Sequence, residues 1–122
     1  MRKILALSAV ILAGVVFLTL PACGPCGSLE QARERTLRTN LHTMRYIIAQ
    51  YRGDKGSYPE SFADLIDAGY LRKVPLDPFT KSTVTWRLTY EARSGPDGRR
   101  GVVDVHSGAH GTARDGRPLA SL

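Results

Sequence analysis

Apolar positions recur at helical spacing through the first half of the body of this chain. Leu37, Leu41, Met44, Ile48 and Tyr51 stand four, three, four and three residues apart, which is one stripe of an α-helix. Ala32 extends the stripe upstream and Ile47 broadens it. Glu34 and Arg38, four apart, give modest support on the exposed side. Ser28 and Gln31 have capping-box spacing and predict a start near Leu29. Arg52-Gly53-Asp54-Lys55-Gly56 predicts the stop, because glycine takes the left-handed cap conformation.

The pattern then changes. After Ser57-Tyr58-Pro59, the run Glu60–Ala68 predicts a short helix with Phe62, Leu65 and Ile66 on its buried side and Gly69 as its end. Val74-Pro75-Leu76-Asp77-Pro78 is not helical, since each proline holds the residue before it extended. Val84, Trp86, Leu88 and Tyr90 alternate with Thr85, Arg87, Thr89 and Glu91, the period of a half-buried strand. Trp86 and Tyr90 share the buried parity, which makes them core residues before a binding platform. Ser94–Gly98 predicts a loop and Val102–Val105 a second, antiparallel strand; from His106 onward the chain is glycine-rich and polar without a sustained period. The expected fold class is α+β, a long amphipathic helix laid on the Val84/Trp86/Leu88/Tyr90 face of a small antiparallel sheet, with a loop-rich C-terminus. A two-stranded ribbon is marginal alone, so the helix is its support.

The N-terminus is different in kind. Arg2-Lys3 precedes Ile4–Leu20, seventeen residues without a charge. That is the short limit for crossing a bilayer and slightly long for a secretory signal core. Basic residues ahead of the run keep the start cytoplasmic and send the downstream chain outward. The chain divides into 1–22, a signal peptide or membrane-spanning segment; 23–27, a Cys/Gly/Pro joint; and 28–122, a periplasmic head domain. Leu20-Pro21-Ala22-Cys23 is similar to a bacterial lipobox, with Cys23 as the residue that would be lipidated. Each methylene of such a lipid buried in the bilayer contributes about 0.8 kcal/mol. Cys23-Gly24-Pro25-Cys26 also spells the thioredoxin active-site tetrapeptide. A redox pair needs a βαβ context, and the downstream pattern supplies none.

Composition narrows the chemistry. At 122 residues there is room for one domain. The formal charge of +6 is dispersed, and no nucleic-acid-binding module is recognisable. Neither cysteine lies in the body of the domain, so no disulfide framework staples it. No nucleophile with a paired base and no glycine-rich phosphate loop is visible, and Asp64 with Asp67 reads as a solvated helix face. Neither an enzyme nor a small-molecule substrate is expected. His106 and His110 have zinc spacing only on a helix, which Gly108 and Gly111 oppose. His42 reads as a partly exposed helix residue.

Several spaced motifs carry a resemblance. Leu37-Arg38-Thr39-Asn40-Leu41 with Tyr51, Gly56-Ser57-Tyr58-Pro59, Gly69-Tyr70-Leu71, Val74-Pro75-Leu76-Asp77-Pro78-Phe79, and Val103–Ala109 with the Asp115-Gly116 turn form one pattern over residues 28–122. It resembles that of the major pseudopilin of type II secretion systems, within the type IV pilin-like superfamily. The resemblance implies a pilin-like head on a helical stalk, a structural subunit that aids protein export across the outer membrane. It implies other pseudopilins, secretion-machine components and a membrane as partners, and no enzymatic activity. It also implies calcium in the C-terminal loop, where Asp104, Ser107 and Asp115 occupy the matching region and oxygen donors suit a hard cation. His110 stands where the family has an acidic residue. A prepilin-peptidase site and the glutamate of the apolar helix are missing between Met1 and Leu20. Pro21 falls where pilin stalks carry a proline, which leaves a start upstream of Met1 open. A lipid-anchored envelope lipoprotein, using the same head as a binding module, is the alternative.

Overall fold

The computed structural model describes residues 26–92 and 98–122. The readings made for Ile4–Leu20, Cys23 and most of the Ser94–Gly98 loop lie outside them. The elements are helix α1 (Cys26–Lys55), helix α2 (Phe62–Asp67), strand β1 (Arg87–Tyr90), strand β2 (Val102–His106) and a 3₁₀ turn over Leu119–Ser121. This is the α+β arrangement expected, a long helix on a two-stranded antiparallel sheet.

At 30 residues, α1 is about 45 Å long. It takes in Cys26, Gly27 and Ser28, so the capping box does not begin it and the last two residues of the 23–27 joint are helical. No proline interrupts Cys26–Lys55, and the helical register simply runs upstream through Ser28. The far end matches expectation. Gly56 takes φ 76° and its N–H donates to the Arg52 carbonyl at 2.8 Å, an αL cap. Helix α2 closes similarly, with Gly69 at φ 82°, its N–H on the Ile66 carbonyl, and the Tyr70 N–H on the Leu65 carbonyl. That pair of bonds is a Schellman motif.

Leu37, Leu41, Met44 and Ile48 are all buried, as their spacing predicts. Burial of such a side chain contributes about 1.5–3 kcal/mol. They meet Leu65, Trp86, Val102 and Val105. The helix packs chiefly on β2, not on the Val84–Tyr90 face. Strand β1 is the outer strand and starts only at Arg87. Val84 lies in a bend ahead of the paired residues and is 87% exposed, so its parity carries no burial. Tyr90 pairs with Val102 across an irregularity after Thr89 and is half-exposed at the strand's end. Ile66 is likewise 38% exposed, leaving Leu65 as the buried residue of α2 with Phe62 half-buried beside it.

The segment after His106 forms no further strand, but it is not a solvated tail. Ala109, Ala113 and Leu119 enter the core. The Ala113 N–H donates to the Arg117 carbonyl and the Leu119 N–H to the Gly111 carbonyl, folding the segment back on itself.

Candidate functional site

Among the described residues, three groups of polar side chains tie distant parts of the chain together around the C-terminal segment. The first is the Pro-flanked Asp77. Its carbonyl accepts from the Lys81 N–H, while Oδ1 accepts from the N–H groups of Phe79 at 2.9 Å and Thr80 at 3.3 Å. This is an Asx-type turn, in which a side chain imitates backbone. Lys81 at φ 55° completes the bend. The turn carries Asp77, 0% exposed, against the chain leaving β2, where Ser107 Oγ donates to Oδ2 at 2.5 Å. Ser107 Oγ in turn accepts from the Ala109 N–H. The Pro75 carbonyl accepts from Trp86 Nε1, and the Leu76 carbonyl from Asn40 Nδ2 on α1. Asp77 is therefore a structural fastener with its acceptors in use, since a buried carboxylate without such donors is costly.

The second group lies where α1 faces β2. Arg45 donates to Asp104 Oδ1 at 2.6 Å, and to the carbonyls of Val105 and Leu122 at 2.9 Å each. His106 Nε2 lies 3.2 Å from Asp104 Oδ2. Burial pushes the Asp104 carboxyl up, but the Val105 N–H and the Arg45 guanidinium outweigh it and hold it below its ordinary value. The third group sits two turns earlier on α1. Arg38 bridges Glu34 and Asp115, each at 2.9 Å, and Arg117 also holds Asp115 at 2.8 Å. The Asp115 carboxyl falls to about 2, chiefly through the Arg117 side chain and N–H and then through Arg38. Glu34 is lowered first by the Arg114 N–H and then by Arg38.

These groups separate the residues marked for calcium. Asp104 belongs to Arg45, Ser107 to Asp77, and Asp115 to Arg38 and Arg117. No hydrogen bond joins any two of the three, and no cluster of three His, Cys, Asp or Glu side chains suits a metal among the described residues. His42 and His110 are exposed. Clefts of about 180 Å³ beside Glu34 and Phe79 and of about 200 Å³ between Arg38 and Arg117 fall below the few hundred Å³ usual for small-molecule sites, while a third of about 430 Å³, lined by Gln31, Arg35 and Arg114, falls within that range.

The outward face of α1 went unread in the sequence. Ala32, expected to extend the buried stripe, is instead exposed and begins a second series with Thr36, Thr39, Thr43, Tyr46 and Gln50, spaced four, three, four, three and four, all exposed and uncharged, with exposed Arg35 and His42 beside them. Tyr46 is 58% exposed and accepts a hydrogen bond from Gln50 Nε2. Threonine on a solvated helix is a poor choice, costing up to about 0.7 kcal/mol against alanine. The signal was present as the same helical period, offset by half a turn from the buried stripe. No described helix is long and apolar enough to cross a membrane. No family model, curated protein or solved structure matches the chain.

Proposed function

We propose that this protein is a structural, non-catalytic subunit of a type II secretion or type IV pilus-like assembly, aiding protein export across the outer membrane. Its head is residues 28–122, its anchor lies in the N-terminal apolar run, and its partners are other pilin-like subunits. The observation that carries this reading is the charge-poor outward face of α1, about 27 Å from Ala32 to Gln50 at the helical rise, with Arg35 as its one formal charge. In a chain with 23% charged residues, a helix built for water alone would place charges there. A neighbouring subunit explains a face that carries a single formal charge, Arg35, and is not covered by the chain's own core. The resemblance over residues 28–122 supplies the rest, including a cytoplasmic ATPase as the motor of the machine.

The lipobox-like Leu20-Pro21-Ala22-Cys23 favours a second reading, an envelope lipoprotein that keeps the fold and uses the same helix face to hold a partner. The intact mass of the protein from its native membrane separates the two. An unlipidated chain that keeps Ile4–Leu20 supports the membrane-spanning subunit. A mature chain that begins at lipid-modified Cys23 replaces it with the lipoprotein.

A further inference from the structure

The donor set around the C-terminal segment does not fit calcium. A calcium site needs six or more oxygens free to converge on one ion. Here both candidate carboxylates face arginines, and the Ser107 hydroxyl spends its proton on Asp77. We propose that Arg38 and Arg45 do the work of a cation, latching residues 104–122 to α1 so that the head keeps its form without calcium.

The latch has two clamps seven residues apart on one helix. Arg38 reaches forward to Asp115 in the turn that ends the polar loop, and Glu34 on the same helix takes the Arg114 N–H from that turn. Arg45 spans wider, gripping Asp104 and the Val105 carbonyl in β2 and the Leu122 carbonyl beyond the 3₁₀ turn. Between the two clamps Leu41 is buried in the same core that receives Ala109, Ala113 and Leu119. A guanidinium suits this task because its fixed fork of donors holds several acceptors at once without shedding a hydration shell. Beyond His106, where β2 ends, the segment has almost no ladder of its own, one isolated bridge between Thr112 and Pro118. Its order therefore rests on these ion pairs, the Asp77–Ser107 fastener at its start, a few backbone bonds within it and the burial of Ala109, Ala113 and Leu119. The pairs are partly exposed, so salt weakens them, as it would not weaken a chelated ion to the same degree. This inference concerns the head alone and stands whether or not the protein assembles.

Hydrogen exchange of the full-length chain in detergent tests it, read at the amides of residues 109–119. In the native protein, adding calcium or a chelator leaves exchange unchanged, while raising salt speeds it. Arg38→Met or Arg45→Met speeds it about two- to fivefold, as loss of a partly exposed ion pair implies; Arg38→Lys and Arg45→Lys recover part of the protection. The amides of Leu37–Ile48 report whether the core survives. Should either Met variant lose the core, the exposed Asp115→Asn makes the same test from the other side of the clamp. Calcium-dependent protection in the native chain, or Met and Asn variants that exchange like it, overturns the inference.

Discussion

Replacing Asp77 by alanine strikes the buried knot that joins the Pro-flanked loop to the chain leaving β2. The substitution removes the acceptor of three donors, Ser107 Oγ, Phe79 N–H and Thr80 N–H, at a position with 0% exposure. A buried donor left unmatched costs about 1–3 kcal/mol. The Ser107 hydroxyl and the Phe79 N–H carry most of this, and the longer Thr80 contact carries little, so Asp77→Ala costs about 3–5 kcal/mol. That is a large share of the roughly 5–15 kcal/mol that a domain has in total. Asp77→Asn keeps an oxygen for the two N–H groups but loses charge assistance and turns an amide donor towards a hydroxyl, at about 1–2 kcal/mol. Ser107→Ala strands one carboxylate oxygen and the Ala109 N–H, at about 2–4 kcal/mol. Because the two residues share a bond, the double variant costs less than the two singles together, with a coupling of about 0.5–3 kcal/mol. Urea unfolding of the full-length chain in detergent, followed by Trp86 fluorescence, measures all four. Trp86 reports this loop directly, since its indole N–H is bonded to the Pro75 carbonyl. An Asp77→Ala cost below about 1 kcal/mol, or strict additivity of the pair, refutes the reasoning.

The same structure sets three further outcomes. Gly108→Ala brings a Cβ within 2.1 Å of the Thr85 carbonyl oxygen, a backbone atom that cannot swing away, and lowers stability by about 1–3 kcal/mol or more in the same urea assay. Met44→Ala, at the centre of the buried stripe, costs about 2–5 kcal/mol through lost burial and a cavity. In acid, Asp115 contributes stability above its ordinary 3.8 that is lost as pH falls from there through about 2. A melting-temperature profile over that window therefore falls, and Asp115→Asn flattens its part of the fall; a profile identical in the two proteins contradicts the assignment.

Much of the fold was legible because it arises from period. The stripe Leu37–Ile48 announced the buried face of α1, and Gly56 and Gly69 announced both helix ends. The strand pattern was less faithful. Alternation from Val84 assumed pairing where the chain is still turning, and it named Tyr90 as core although an outer strand shields its last residue poorly. The helix also chose its partner by depth. Val102 and Val105 lie under α1, while β1 lies beyond them.

Long-range polar bonds were beyond a reading by period. Asp77 and Ser107 are thirty positions apart, and nothing local in either motif says that they meet. The Asp-Pro-Phe-Thr run did carry a turn signal, since aspartate accepts from N–H groups two and three residues on. Arg38 reads as an exposed partner of Glu34, and Arg45 carries no local signal at all. Their role arises only because a chain without regular structure returns alongside α1 and brings Asp104 and Asp115 to them.

The central claim, that the outward face of α1 meets another subunit, is tested most directly in the native envelope. A photo-crosslinking amino acid placed at Thr39 or Tyr46, both exposed on that face, is irradiated there, with exposed Arg72 and Thr89 as control positions. The account predicts adducts from the helix face to a second copy or to another pilin-like subunit, and few from the controls. A helix face that yields no adducts, or none beyond those of the controls, contradicts it.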